Sequence, residues 1–479
     1  MHYFKTREDS IVANLRTVPS ALATDARPVE APHSDGLAGR TEIALERRAP
    51  RQLAVTIVAT VERQHLSQLK RLLRTMAKNP EKNSVMPLSA LPRTHFARLL
   101  VLDATLDLEG APLEPQLIYM ADVDEPAEGD APLERCLVEL VEVAGDGLDR
   151  IFGACVGYPP PSRATRRRRL AFLREHLVEP AAAYVNTVGR GVRQIRQEAD
   201  LRTAIRGFLD RAETDWDQRD PTEVRAGIRD FVNTQGNLDW ARTPPPSSGL
   251  GDRARDIVDL LGRPLGLAVL SPVLVPALPL AALLLRRQEK RDQPAPEKPT
   301  LDHVRQLAEL EDHGAQNQFS AIGFVKPGLL RQLTTEVVTR AIDYASRHRY
   351  RHANLAGVKT IHFARWVFLD DRRRLIFASN YDGSLESYND DFVDKVWWGL
   401  NPVFSNGVGY PRTSWLFFGG AKQEQQFKDY LRNHQAPTQV WFSAYPDLTA
   451  LNIENNARLR AGLYGEMSSE ETQEWLRRL

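Results

Sequence analysis

The tetrapeptide HFAR occurs at 95–98, inside RTHFARLLVLD, and again at 362–365, inside TIHFARWVFLD. A chain that repeats a phrase in matching surroundings is constrained to build one local structure twice, and the surroundings do match. Ahead of the first copy come an apolar alternating run, LAVTIVATV (53–61), and a helical stretch over 65–78. Ahead of the second come FSAIGFVK (319–326) and a helical stretch over 329–347. After HFAR, QLIYMADVDE (116–125) aligns without a gap on RLIFASNYDG (374–383), which sets Asp124 opposite Asp382. Further on, IFGACVGYP (151–159) matches VFSNGVGYP (403–411), so that Tyr158 corresponds to Tyr410. LREHLVEP (173–180) then matches LRNHQAP (431–437), and each leads into a strand, one with Tyr184 and one with Trp441.

Each copy reads β-α-β-β-α-β, the split pattern of ferredoxin-like folds. The expected fold class is α+β, with two such repeats over 49–205 and 318–463. A four-stranded sheet with both helices on one side leaves its other apolar face bare, and the twin sheet is the economical cover, so the sheets are expected to pack face to face. The 479 residues suit two or three domains. Outside the repeats are a helical linker over 206–317 and a C-terminal helix over 464–479. The N-terminal 1–48 is charged, lacks the long apolar core of a secretory signal, and reads as a mobile arm.

The linker contains PLGLAVLSPVLVPALPLAALLL within 264–285, a run without a charged residue, followed by RRQEKR. As a helix it would be about 33 Å long, enough for a hydrocarbon core of about 30 Å. Pro272, Pro276 and Pro279 in its middle favour kinks over a clean span. A single crossing would also put the two repeats on opposite sides of a membrane, where their sheets could not meet. Two readings follow. One is a re-entrant or interfacial anchor, with 264–291 as the lipid contact and Arg286, Arg287, Lys290 and Arg291 at the headgroups. The other is a buried, Pro-kinked core segment. The basic run SRATRRRR (162–169) either adds to membrane attraction or is a solvated loop.

Lys and Arg total 63 against 62 Asp and Glu, so no global charge recruits nucleic acid. Two cysteines, Cys136 and Cys155, exclude a disulfide framework and a Cys-rich zinc site. The expected location is cytoplasmic, peripheral or monotopic at the membrane.

Chemistry has several candidate seats. Strand alternation puts His362, Ala364 and Trp366 on one face of the second HFAR strand and Phe363, Arg365 and Val367 on the other. His362 is then either a satisfied core histidine or a ligand. At matched positions the first copy has Asp122, Val123, Glu125 and Ala154 where the second has Asn380, Tyr381, Gly383 and Asn406, so polar groups for a small-molecule ligand concentrate in the second copy. SNYDGSLESYNDDF (379–392) ends a strand and begins a helix, where free N–H groups favour an anion. Its plainer reading is a turn at Asp382-Gly383 with Asn389 or Asp390 capping a helix. Tyr410, Arg412 and Tyr445 lie in segments that approach the same edge. FFGGAKQ (417–423) lacks the spacing of a phosphate loop and reads as a turn.

Two ferredoxin-like units in one chain resemble the dimeric α/β-barrel superfamily, whose haem-binding members include dye-decolourising peroxidases and chlorite-dismutase-like proteins. Those peroxidases carry a G-x-x-D-G motif; SNYDG keeps Asp382-Gly383 and has Ser379 in place of the first glycine. The resemblance implies haem as cofactor, Asp382 as distal acid, Arg365 or Arg412 as distal cation, and His362 or His434 as axial ligand. The implied function is a membrane-associated, haem-peroxidase-like oxidoreductase. The alternative is a non-enzymatic, membrane-anchored module that binds an apolar or anionic small ligand. EDHGAQNQFSAIGFVKPG and TIHFARWVFLDDRRRLIFASNYDGSLESY also look like part of a bacterial family of unassigned activity.

Overall fold

The computed structural model describes residues 49–126, 131–211, 215–293, 298–350, 355 and 357–479; the segment expected to be a mobile arm, 1–48, lies outside them. The fold is mixed α+β with antiparallel sheets. Eight strands carry it: β1 (Gln52–Thr60), β2 (Thr94–Leu102), β3 (Gln116–Asp124), β4 (Ala182–Val185), β5 (Gln316–Phe324), β6 (Ile361–Leu369), β7 (Arg374–Asp382) and β8 (Val440–Ser443). They form two four-stranded sheets, ordered β1-β3-β2-β8 and β4-β6-β7-β5.

The orders correct the expectation that each half builds its own sheet, because the last strand of each half pairs with the other half. Tyr184 of β4 lies opposite Ala364 of β6, and Phe442 of β8 opposite Ala97 of β2. The chain leading into each exchanged strand runs along its own half first. Val58 N donates to His176 O at 3.0 Å and Val178 N to Thr56 O at 2.9 Å, beside β1; Ala436 N donates to Ser320 O at 2.8 Å, beside β5. Both open edges are thereby paired, and the two sheets close on each other with no long bare strand exposed.

The faces turned toward each other supply one apolar layer, with Leu100, Leu102, Ile118 and Met120 from the first sheet and Val367, Leu369, Ile376 and Ala378 from the second. Each is a non-adjacent position on its strand, as a period of two requires. Helices cover the outer faces. We use α1 (Leu66–Ala77), α2 (Pro132–Phe152), α3 (Arg166–Glu175), α4 (Val192–Arg211), α5 (Pro221–Thr234), α6 (Leu250–Glu289), α7 (Leu329–His348), α8 (Trp397–Phe404), α9 (Glu424–His434), α10 (Ala450–Ala461) and α11 (Ser469–Leu476). In α1, Leu69, Leu73 and Met76 recur at helical spacing and are buried. A further apolar cluster joins α4 and α5 to α10 and α11 through Leu201, Ile228, Leu459 and Trp475, so the linker packs against the C-terminus.

Two helices break the usual pattern. The buried face of α7 is polar, with Arg331, Thr335, Thr339, Asp343 and Ser346, while Leu329, Leu333 and Val337 are exposed. Helix α6 runs unbroken through Pro264, Pro272, Pro276 and Pro279. It docks at both ends on the same folded body. At its N-terminal part Arg263 Nη1 meets Asp343 Oδ2 at 3.1 Å, His348 Nε2 meets Asp259 Oδ2 at 2.9 Å, and the Tyr344 hydroxyl donates to Leu260 O. Just past its C-terminus Asp292 Oδ2 accepts from Lys326 Nζ at 2.7 Å and Arg331 Nη2 at 2.9 Å. At 1.5 Å per residue the stretch from 263 to 292 is about 40 Å long, against about 18 Å of α7 between Asp343 and Arg331. The middle of α6 is exposed at Leu265, Leu267, Val269, Val275, Leu278, Leu280 and Leu283. The reading of 264–285 as a buried core segment is therefore corrected. Among the described residues no helix is long and apolar enough to cross a membrane.

Candidate functional site

A bulge in β6 decides where the second HFAR histidine points. Ile361 lies opposite Tyr381, Phe363 opposite Asn380, and His362 is the extra residue between them. It leaves the outer face, and its Nε2 meets Asp382 Oδ1 at 2.6 Å. Asp382, Asn380 and Ala378 share the inner face of β7, so His362 and Arg365 point to one side, not to opposite sides as strict alternation predicts. The first half repeats the arrangement, with a bulge between Thr94 and Phe96 and His95 Nε2 2.8 Å from Asp124 Oδ1. The second oxygen of each carboxylate receives a helix N-terminus: Val192 N donates to Asp124 Oδ2, and Ala450 N to Asp382 Oδ2, both at 2.8 Å. Gly191 makes the first approach possible, because a Cβ there would sit 2.9 Å from Asp124 Oδ2. Asp382 thus clamps a histidine to a helix, and its twin does the same work.

The arginines of the two phrases cross the interior. Arg365 donates from Nη1 to Val55 O at 2.6 Å and Thr56 Oγ1 at 3.1 Å, and from Nη2 to Ala121 O at 2.9 Å and to the Asp122 carboxylate. Arg98, which sequence reasoning passed over although it belongs to the same phrase, reciprocates on the second sheet. It donates to Phe319 O, Ser320 Oγ and Ser379 O, each at 2.8 Å, and to Asn380 Oδ1 at 2.6 Å. Burial brings the Arg98 guanidinium down to about 10 despite the attraction of Asp122. Each guanidinium makes its four Nη hydrogen bonds to the opposite sheet, which makes it a cross-tie between the two.

The remaining expected residues scatter. Asn380 is held by Arg98 and by Trp441 Nε1 at 3.0 Å. Tyr381 is on the outer face of β7, its ring stacked on Tyr388 at 4.1 Å. The Tyr445 hydroxyl bonds His95 Nδ1 at 2.8 Å. Tyr410 donates to Asn401 Oδ1 at 2.8 Å, and Arg412 reaches outward to Asp292 O. Asn406 gives Nδ2 to Pro402 O and takes Arg331 Nη1 on Oδ1 at 3.2 Å. The helix that begins at Leu385 is capped by Ser384, which accepts from Ser387 N at 3.3 Å, and not by Asn389 or Asp390.

One place in the second half does offer space. Gly323, Gly407, Asn406, Thr335, Tyr430 and His434 line a niche of about 30 Å³ beneath β5 and α9. It abuts a crevice of about 390 Å³, which shares Ile322, Gly323, Phe324 and His434 and adds Val101, Leu102, Ala436 and Pro437. The glycines create the niche: a Cβ on Gly407 would lie 2.6 Å from Tyr430 Oη, and one on Gly323 3.0 Å from His434 Cδ2. The matched residues of the first half are Cys155, Ala59 and Phe172, which have those carbons and lack that hydroxyl. The histidine is common to both halves, and His434 Nδ1 meets Tyr430 O at 2.8 Å as His176 Nδ1 meets Phe172 O at 2.9 Å. Burial lowers the His434 imidazole below its usual range and raises the Tyr430 phenol, so both are neutral near pH 7. The signal lies one residue ahead of the aligned tails 173–180 and 431–437, where Tyr430 stands against Phe172.

No known family model, curated protein or solved structure matches the chain. The site is therefore judged by its own chemistry.

Haem fits this arrangement poorly. His362 has Nε2 on Asp382, and its ring packs 5.4 Å from Phe96 and 6.3 Å from Tyr445, which leaves no plane for a macrocycle. His434 has Nδ1 on Tyr430 O, and the niche and crevice it lines, about 30 and 390 Å³, reach only the low end of the about 300–1,000 Å³ that a drug-sized ligand takes. Among the described residues no group of three or more His, Cys, Asp or Glu side chains is placed to hold a metal ion.

Proposed function

We propose that this chain is a membrane-anchored binding module, built from two copies of a ferredoxin-like unit that exchange their last strands. The observation that carries the reading is α6. Its uncharged middle is exposed on a helix whose two ends are docked on one folded body, so it is offered to an apolar surface without being able to thread through one. Arg287, Lys290 and Arg291 at its C-terminal end suit anionic headgroups. The crevice beside His434, of the size small ligands need and mostly apolar in its lining, is the place for a small apolar ligand. The adjoining niche is tied to the end of α6 through Asp292, Arg331 and Asn406, hydrogen-bonded in series.

Vesicle flotation tests the reading. The protein should float with vesicles containing phosphatidylglycerol, and replacing Leu267, Leu278 and Leu283 by Gln should abolish flotation while leaving the thermal transition in place, since all three side chains are exposed. An intact protein that stays with the soluble fraction at every lipid concentration refutes it.

A further inference from the structure

The hairpin that receives the C-terminal end of α6 is an unusual surface. Thr413–Ser414 pairs with Phe418–Gly419, and at its tip Trp415 (47 %), Phe417 (49 %) and Phe418 (61 %) are exposed to solvent. Trp398, on the helix whose Asn401 Nδ2 binds Phe417 O and Gly419 O, is exposed as well. Trp415 and Leu416 hold φ of +56° and +62°, the left-handed region that bulky side chains avoid. The fold holds them there with a buried anion. Glu289, wholly inaccessible at the end of α6, accepts Trp415 N at 2.8 Å, Leu416 N at 2.7 Å and Thr413 Oγ1 at 2.9 Å, and pairs with Arg286 Nη1 at 3.0 Å. Two successive left-handed residues turn their N–H groups to one side, and the carboxylate fills the concavity they make. Strain is therefore maintained in order to hold aromatic rings out in water, where apolar surface is disfavoured.

We propose that this hairpin is a second lipid-inserting element, whose Trp415, Phe417 and Phe418 enter the headgroup region of an anionic bilayer beside α6. The inference rests on the membrane-anchored reading and extends it to a site the apolar run does not contain. Three features select a bilayer as the occupant. The tip is rich in tryptophan and phenylalanine, the side chains that belong at a membrane–water boundary. It is continuous with the exposed α6 through the Glu289 contacts. Cations adjoin it in the chain: Arg287, Lys290 and Arg291 flank Glu289 and Arg412 precedes Thr413, with Lys422 Nζ 3.9 Å above the Trp397 ring. Glu289, which fixes the tip, is a positioning residue.

The test uses the full chain and vesicles of phosphatidylcholine, with or without phosphatidylglycerol, brominated on their acyl chains. Phe417→Ser with Phe418→Ser should weaken vesicle affinity about tenfold, as the burial of two part-exposed rings implies. Trp415→Phe should remove a measurable part of the bromine quenching seen with the parent protein. Both variants should keep the parent melting temperature, because the rings lie outside the core. If the parent floats but the double Ser variant binds as tightly and Trp415→Phe is quenched as strongly, the hairpin proposal fails while anchoring by α6 stands. If the parent does not float, both fail. A parent that is dimeric in detergent-free buffer and becomes monomeric on the Phe→Ser change would instead give the tip to a second copy, and overturns the proposal.

Discussion

His95 and His362 are buried histidines each paired to an aspartate. Their surroundings differ in one respect. His95 Nδ1 receives the Tyr445 hydroxyl, whereas among the described residues His362 Nδ1 has no hydrogen-bond partner, the residue matched to Tyr445 being Thr187. The carboxylates have two partners in common, each joining a ring N–H to the first turn of a helix, and Asp124 also accepts from Gln52 Nε2 at 3.0 Å. Asp124→Ala and Asp382→Ala should each cost about 2–4 kcal/mol, since each strands a buried imidazole N–H and a helix N–H. Urea denaturation checks this, and a change under about 0.5 kcal/mol for either one would show that the clamp contributes nothing.

At the scale of elements, the two halves diverge where β5, α9 and the 404–410 segment meet. The first half fills the equivalent position with Phe172, Cys155 and Ala59; the second hollows it with Tyr430, Gly407 and Gly323. The polar face that α7 turns inward belongs to the same divergence, for Thr335 lines the niche and Arg331 holds Asn406. Gly407→Ala should destabilise the parent by about 1–3 kcal/mol, as overpacking does. The same change made in a Tyr430→Phe background should cost less, because the oxygen 2.6 Å from the new carbon is gone, though Phe404 O at 3.1 Å remains. A double-mutant cycle measures the coupling. Equal costs in the two backgrounds would mean that the hydroxyl does not set the size of the niche.

The whole molecule is held together by exchange. Each sheet takes its fourth strand from the other half, and each interior arginine spends its hydrogen bonds on the opposite sheet. Neither half is complete alone: residues 49–205 lack the strand Val440–Ser443 and the acceptors of Arg98. Expressed separately, 49–205 and 318–463 should each fail to show a cooperative thermal transition by near-UV circular dichroism, while the parent unfolds without separable transitions for its two sheets. A cooperative transition in either fragment would show that the exchanged strand is dispensable.

The sequence by itself determined the repetition, and with it the strands, the outer helices and the pairing of matched residues, because alternation and helical spacing are local and survive in any surroundings. It also marked 264–285 as a segment apart, since an uncharged run is visible without a fold. Tertiary structure alone decided the rest. Which sheet a terminal strand joins depends on edges contributed by the other half, far away in sequence: Val185 lies opposite Phe363 and Val440 opposite Leu99. The bulge that turns His362 inward is set by register against β7, and a shift of one residue reverses a side chain's face. The polar residues of the second copy looked like a site because composition counts donors and acceptors, and only packing shows which are already spent. Arg365, Asn380 and Asp382 are spent on cross-ties and caps, whereas Gly323 and Gly407, which contribute only the absence of a side chain, leave the room.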